Sequence, residues 1–253
     1  MILRKRIKAG ELLVAPFQKT PSPQITELLG LGGVDFIVAD QEHAPIGIEA
    51  LDQIALAGRA VGLPVMIRAT LASPTAIWPA LDLGCIGVMV PHICNASDAN
   101  AVADAMKYAR GRGFSPSGRA GEYGRMRAAD YRATSDSETI FLAQIEDACA
   151  LDALDEIAAI PEVDVLFIGP QDLSLSIGCA ADAPEMHRAI DQVIAAAKRH
   201  GKASGFFVPD ASLILALYQR GMTVFVCGSD QGLLRNGASQ LMATVSNIKE
   251  LQA

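Results

Sequence analysis

Short apolar runs recur along the chain and alternate with longer, partly polar segments. Each run spans four to seven residues, and several are rich in valine and isoleucine. Runs of this kind predict β-strands that are buried on both faces, as in parallel sheets. The predicted strands are 12–17, 36–39, 64–68, 87–90, 140–146, 165–169, 204–208 and 223–227.

Amphipathic segments between most of these strands predict helices. Apolar residues fall at positions i, i+3, i+4 and i+7, for example within 51–58 and 190–197. Eight strands alternating with helices in 253 residues predict one (β/α)8 barrel domain that spans residues 1–253. The chain has no Gly-x-Gly-x-x-Gly motif after a strand and no P-loop, so a doubly wound nucleotide-binding sheet is the weaker option.

The second predicted strand is followed at once by three titratable residues, Asp40, Glu42 and His43. In α/β barrels, ligands bind at the carboxyl ends of the strands. An imidazole beside two carboxylates suits proton transfer near neutral pH. A polar loop without catalytic function is the alternative from these residues alone.

Other predicted strands also end in charged residues. Arg68 ends the third strand, and its planar guanidinium suits a carboxylate or an enolate oxygen, although a surface salt bridge is the alternative. Glu146 and Asp172 follow the adjacent fifth and sixth strands, so they could share one divalent cation. Two hard oxygen ligands favour magnesium or manganese over structural zinc. The alternative is that the two acids are helix caps or ion-pair partners, as isolated acids at strand ends more often are.

Composition narrows the class of protein and the compartment. The net charge of -7 and the absence of a basic stripe argue against nucleic acid as the main partner. No segment approaches the roughly 20 apolar residues of a membrane span. The five cysteines are widely spaced without a Cys-x-x-Cys pair, which predicts reduced thiols and, with no signal-peptide core, a cytoplasmic protein.

The interval 111–137 lacks a sustained helical or strand period. Loops of such length are usually functional or disordered. Four of its arginines, Arg112, Arg119, Arg125 and Arg127, could contact an acidic substrate, or they could belong to a solvated or subunit-contacting loop.

Six segments, taken in order and at their intervals, form a recognisable set. They are Asp-Gln-Glu-His-Ala-Pro at 40–45, Pro-Val-Met-Ile-Arg at 64–68, Leu-Asp-Leu-Gly at 81–84, Val-Met-Val-Pro at 88–91, Gln-Ile-Glu at 144–146 and Phe-Ile-Gly-Pro-Gln-Asp-Leu-Ser at 167–174. This set resembles the HpcH/HpaI aldolases, which are metal-dependent 4-hydroxy-2-oxo acid (pyruvate) aldolases with a (β/α)8 fold. The resemblance implies a small 2-oxo acid and an aldehyde as substrates.

The resemblance also implies an oligomer. In that family the eighth helix exchanges between subunits of a hexamer built as a dimer of trimers, and the counterpart here is the segment 231–253. An apolar stripe of Leu241, Val245, Ile248 and Leu251 would face the neighbouring subunit. A helix packed on its own barrel is the alternative.

Metal and substrate ligands are implied on one side of the site. By resemblance, Glu146 and Asp172 bind a divalent cation, magnesium or manganese, with cobalt or zinc as further options. Backbone amides near Gln171 and Asp172 would hold the carboxylate of pyruvate, and Gln144 would lie beside the metal.

Proton transfer is implied on the other side. By resemblance, His43 paired with Asp82 is the acid/base on the C4 hydroxyl, and Arg68 stabilises the enolate oxygen. Asp40 is expected to line and support the substrate pocket together with Glu42.

The sequence departs from the family pattern in three places. These are the loop 113–121, His92 after Pro91, and Gln171 in place of a small residue, and they put the aldehyde specificity in doubt. Besides an aldolase, the residues allow a transferase that condenses a pyruvate- or oxaloacetate-derived enolate with another acceptor. A non-catalytic binder of 2-oxo acids is the third possibility.

Overall fold

A computed structural model describes residues 2–250 of the chain, with side chains for residues 2–246. Eight parallel strands close into a barrel in sequential order, β1 to β8, which confirms the predicted (β/α)8 fold. Every predicted strand is present, with ends that shift by at most two residues. The strands are β1 Leu13–Gln18, β2 Ile37–Asp40, β3 Val65–Arg68, β4 Gly87–Val90, β5 Ile140–Ile145, β6 Val165–Ile168, β7 Ala203–Val208 and β8 Val224–Ser229.

Helices surround the barrel between most strands. Those in the segments 51–58 and 190–197 are present as predicted, and the second carries an apolar face buried against the barrel. The helices are α1 Leu3–Lys8, α2 Pro23–Leu31, α3 Ile48–Val61, α4 Pro74–Asp82, α5 Ala96–Met106, α6 Ala128–Glu138, α7 Ala148–Asp152, α8 Leu154–Ala158, α9 Pro170–Ile177, α10 Pro184–Arg199, α11 Ile214–Gln219 and α12 Asp230–Glu250. None of the helices in this described part is long and apolar enough to cross a bilayer.

The apolar strands divide the core into two layers, because successive side chains point to opposite faces of a sheet. Ile37 and Ile67 belong to the outer layer, between the sheet and the helices. Their neighbours Val38 and Met66 belong to the inner layer, inside the barrel. The barrel interior is therefore packed with side chains, and a ligand can enter only at its ends.

The segment 111–137 is more regular than predicted. It contains most of α6, which the sequence analysis missed, and the four arginines named above form ion pairs within the chain. Arg112 is 4% exposed and stacks on Tyr108, with 4.5 Å between its guanidinium carbon and the ring centroid. Because Arg112 and Arg119 are bound to Asp82 and Asp52, they are not available to a substrate.

The last helix, α12, leaves the barrel soon after it begins. Its first turn contacts β1 and β8, whereas Leu233, Leu234, Leu241 and Met242 are all more than half exposed. Leu241 of the predicted apolar stripe is thus exposed in the single chain. The side chain of Ile248 and residue Leu251 lie outside the described residues.

Candidate active site

A cavity of about 360 Å³ opens at the carboxyl ends of the strands. The structure places five of the predicted site residues around it, namely His43, Arg68, Gln144, Gln171 and Asp172. They come from the ends of β2, β3, β5 and β6 and from the start of α9. The barrel brings these residues together because parallel strands present all their carboxyl ends at one face.

Arg68 is held by a buried ion pair with Asp40. The Nε and Nη2 atoms of Arg68 donate to the two oxygens of Asp40 at 3.0 and 2.7 Å. Asp40 is fully buried and also accepts from the backbone N–H groups of Glu42 and His43. Burial alone would raise the pKa of Asp40, but the hydrogen bonds and charge of Arg68 outweigh burial and lower this pKa.

This arrangement corrects one predicted role. Asp40 was expected among the substrate-binding residues, but it has no exposed surface and does not line the cavity. The hydrogen bonds and ion pairs of its side chain go to Arg68, Lys19 and the loop that carries His43. Asp40 therefore lies behind the cavity wall and orients the residues on it.

Arg68 is fixed from two further directions. Its Nε atom lies 3.2 Å from the Oε2 atom of Glu42, and its guanidinium lies over the Phe17 ring, 4.4 Å from the centroid. Because the guanidinium stacks flat on the ring, its edge stays free to bind the carboxylates of Asp40 and Glu42. Only a small part of Arg68, 6% of the residue, is exposed, and that part lines the cavity.

His43 is exposed toward the cavity and does not contact Asp82. Its Nε2 atom lies 3.8 Å from the Oε2 atom of Glu42. Asp82 is the last residue of α4, and its Oδ1 atom accepts from the Nη2 atom of Arg112 at 2.6 Å. The predicted His43–Asp82 pair is wrong within one chain, because α4 runs antiparallel to β3 and carries Asp82 to the opposite end of the barrel.

Glu146 is buried at the end of β5 among donors. Its Oε1 atom accepts from the backbone N–H of His92 at 3.0 Å, and its Oε2 atom accepts from Nε2 of Gln144. Burial raises the pKa of Glu146, and the negative charge of nearby Asp172 raises it further, while the His92 bond opposes both. A Cβ atom at Gly169 would lie 2.6 Å from the Oε2 atom, so only glycine lets the carboxylate occupy this position.

The Glu146 and Asp172 pair fits a hard divalent cation. The negative charge of Asp172 disfavours ionisation of Glu146, and a cation between the two carboxylates would offset this effect. The buried Oε1 atom of Gln144 has no hydrogen-bond partner, so a further oxygen is available beside the carboxylates. Within residues 2–246 no group of three or more His, Cys, Asp or Glu side chains could hold a metal.

His92, next to Glu146, has an unusual backbone conformation. Its φ is 56°, in the left-handed region that residues with a side chain rarely adopt. The conformation directs the His92 N–H to Glu146, and the ring Nδ1 lies 2.9 Å from Oδ2 of Asp147. That hydrogen bond, together with the charges of Glu146 and Asp147, raises the pKa of His92. His92 therefore positions Glu146 through its backbone N–H, while its ring is largely exposed.

Two cysteines lie beside His92 and Asp147. Cys94 and Cys149 follow the adjacent strands β4 and β5 and form a disulfide, with 5.4 Å between their Cα atoms. Cys85, Cys179 and Cys227 are free. The prediction of five reduced thiols is therefore wrong for this pair, because the barrel brings together two cysteines that are far apart in sequence.

The remaining wall of the cavity combines amides, aromatic rings and cations. The first N–H groups of a helix have no acceptor within it, and in α9 these include the N–H groups of Gln171 and Asp172. Phe17, Phe167 and Phe207 supply apolar surface. Lys19 and Arg235 also line the cavity, and the sequence analysis missed both. Their only signal was proximity in sequence to the ends of β1 and β8.

The buried ion pair leads to a prediction about stability. Replacing Asp40 by Asn should destabilise the protein by about 3–5 kcal/mol at pH 7, because the Arg68 charge stays buried without its partner. The folded-state pKa of Asp40 is lowered, so its contribution is complete above the unfolded value near 3.8 and is lost as pH falls below it. Urea unfolding of both proteins between pH 7 and 3.5 should therefore show a difference that shrinks only below about pH 4.

A matched control is Asp191→Asn, which removes an exposed carboxylate that is 2.8 Å from Arg220. It should change stability by less than about 1 kcal/mol. An Asp40→Asn protein as stable as the wild type at pH 7 would contradict the central role of this pair.

Comparison with known proteins identifies the family. The family model for HpcH/HpaI aldolase/citrate lyase matches residues 15–237. The chain is 34% identical to a 5-keto-4-deoxy-D-glucarate aldolase of Enterobacter sp. (strain 638), with 93% of each chain covered. It is 35% identical to a protein of that name from Klebsiella pneumoniae, with 87% of each covered.

A solved structure supports the same assignment. An HpcH/HpaI aldolase/citrate lyase family protein from Burkholderia cenocepacia J2315 is 28% identical and superposes with a TM-score of 0.91, over 96% of this chain and 98% of the other. The resemblance predicted from the six sequence segments is thereby confirmed. This chain belongs to the HpcH/HpaI aldolase/citrate lyase family.

Proposed function

We propose that this protein is a divalent-metal-dependent aldolase that cleaves or forms 4-hydroxy-2-oxo acids through a pyruvate enolate, with an aldehyde as the second product. The aldolase names of its relatives support carbon–carbon lyase chemistry. The observation that carries the proposal is one cavity that is lined by Asp172 on one side and by the immobilised Arg68 with His43 on the other. Glu146 does not line this cavity but is buried against its lining residue Gln144, close enough to Asp172 to feel its charge.

The acidic side would hold the 2-oxo acid. Glu146 and Asp172 would bind the divalent cation, which supplies Lewis-acid stabilisation of the enolate charge. The N–H groups of Gln171 and Asp172 at the start of α9 would hold the carboxylate of the substrate, where the helix dipole favours an anion. Gln144 donates to the Oε2 atom of Glu146 and keeps the Glu146 carboxylate in place.

The side of the cavity with His43 and Arg68 would transfer the proton and stabilise the developing negative charge. His43 would take the proton from the C4 hydroxyl in cleavage and return it in condensation. As the C3–C4 bond breaks, its electrons form an enolate whose oxygen Arg68 would stabilise. The guanidinium needs no rearrangement at that moment, because Asp40, Glu42 and Phe17 already fix it.

The metal side of the proposal predicts loss of both binding and turnover in Glu146→Gln. Calorimetry should show tight binding of manganese to the metal-stripped wild type and little binding to the variant. Pyruvate release, coupled to lactate dehydrogenase, should stop with EDTA, return with magnesium, manganese or cobalt, and stay at least about 100-fold lower in the variant. The panel of 4-hydroxy-2-oxo acids should include 5-keto-4-deoxy-D-glucarate, for which the relatives are named.

Asp191→Asn is the matched control, since it removes an exposed carboxylate outside the cavity. It should bind manganese and turn over as the wild type does. Full activity in EDTA would show that the reaction does not need a divalent metal. Absence of cleavage with every metal and every panel member would favour the transferase or the binder.

If His43 and Arg68 have separate roles, replacing each of them should change the activity with two substrates in a different way. Decarboxylation of oxaloacetate forms the same enolate without removing a proton from a C4 hydroxyl. His43→Asn should therefore lower aldol cleavage by about 10²–10⁴-fold but change oxaloacetate decarboxylation little. Arg68→Lys should lower both reactions, because a point charge cannot replace the fixed guanidinium. Equal losses in both reactions for His43→Asn would contradict its role as the base.

We also propose that the chain forms a trimer or hexamer through α12. The exposed leucines of this helix support an association, since apolar side chains on one helix commonly mark an interface. Sedimentation should show an oligomer for the wild type and a smaller species for Leu241→Glu. Leu215→Glu changes an equally exposed leucine on α11 and should keep the wild-type size. A monomeric wild type would contradict the proposal.

A further inference from the structure

The disulfide between Cys94 and Cys149 joins the two loops that hold Glu146. Cys94 lies in the loop after β4, two residues after His92. Cys149 is the second residue of α7, three residues after Glu146. The Cα atoms of the two cysteines are 5.4 Å apart, within the usual range of about 4.4–6.8 Å for a disulfide. The disulfide therefore closes the same pair of loops that brings His92 to Glu146.

The conformation of His92 depends on what holds its loop. The pairing of β4 with β5 extends to Val90, two residues before His92. Beyond it, the His92 N–H donates to the Oε1 atom of Glu146 at 3.0 Å, and the ring lies 2.9 Å from Asp147. His92 makes these contacts at a φ of 56°, which a residue with a side chain keeps only where its surroundings impose it. A covalent bond two residues further on restrains the loop in this conformation.

The disulfide can be reached from solvent. Cys149 is exposed and Cys94 is partly exposed, whereas the free thiol of Cys85 is buried. A disulfide is reduced when a thiolate attacks one of its sulfur atoms, so exposed disulfides exchange more readily than buried ones. A small thiol or dithiol can therefore open this bond in the folded protein.

We infer that Cys94 and Cys149 form a reversible redox site that tunes the affinity of Glu146 for its metal. A dithiol supplies two electrons and two protons: the sulfur–sulfur bond breaks, both cysteines become thiols, and the dithiol closes to its own disulfide. Glutathione disulfide reverses the step and leaves as two glutathione molecules. In the reduced state His92 can leave the left-handed region, and Glu146 then loses its backbone donor. The inference rests on the proposed function for the role of Glu146 as a metal ligand.

The test compares the wild type in its two redox states. One sample is treated with glutathione disulfide and the other with dithiothreitol, and both are freed of reagent and metal under nitrogen. Alkylation and mass spectrometry should identify Cys94 and Cys149 as disulfide-linked in the first sample and as free thiols in the second. Calorimetry should show about tenfold weaker manganese binding by the reduced protein, because loss of a hydrogen bond to a metal-binding carboxylate has an effect of this size.

A second measurement does not involve the metal. Hydrogen exchange of the backbone amides of residues 91–95 should be faster in the reduced, metal-free protein, since the loop then opens more often. The double variant with Cys94→Ser and Cys149→Ser should behave as the reduced wild type does and respond to neither reagent. Cys179→Ser removes a partly exposed free thiol outside the pair and should keep the wild-type response.

Three results would overturn the inference: a pair that stays reduced with glutathione disulfide, amide exchange that is the same in both states, or a double variant that still responds to dithiothreitol. Manganese binding that is equally tight in both states would refute the tuning of affinity alone. Absence of manganese binding in both states would instead refute the metal-dependent function, and the tuning with it. The two failures are therefore distinguishable.

Discussion

The site depends on the buried ion pair between Asp40 and Arg68. A fully buried carboxylate is strongly unfavourable unless it is both paired and hydrogen-bonded, and Asp40 meets both conditions. The same carboxylate accepts the N–H groups of Glu42 and His43, so it sets the loop after β2 and the guanidinium of β3 at once. The relative position of the proposed base and the proposed enolate-stabilising group thus follows from one buried carboxylate.

In the opposite half of the cavity, the negative charge is not balanced by an arginine or lysine side chain of the described residues. There the structure holds two acids near each other, and burial of Glu146 increases the cost of its negative charge. His92, in a left-handed conformation, and Gln144 donate to Glu146 but do not neutralise it. One side of the cavity is therefore electrostatically satisfied and rigid, while the other still favours a cation. This asymmetry fits a 2-oxo acid that gains its stabilisation on the acidic side and reacts on the basic side.

The sequence predicted what depends on local patterns and strand ends. All eight strands were found because their residues are buried on both faces and so form unbroken apolar runs. The helix α6 was missed because Tyr131 is its one buried residue, which leaves no apolar period to detect. The Arg112–Asp82 pair and the Cys94–Cys149 disulfide were missed because each joins residues that only the closed barrel brings together. Resemblance supplied the roles of the site residues but could not show which partner each one has within this chain.

Arg235 reaches the cavity from the last helix rather than from a strand end. The proposed catalytic groups project from strand ends and are fixed by the barrel, whereas Arg235 lies on α12, which leaves the barrel after its first turn. Asp230 is the link, since it anchors that turn to the segment after β1. A change in α12 beyond this anchor would leave the contacts that hold Arg68 and Glu146 in place, since none of these contacts comes from α12. The barrel and the loops at its strand ends thus fix Glu146 and Arg68, while α12 adds a cation to the cavity wall.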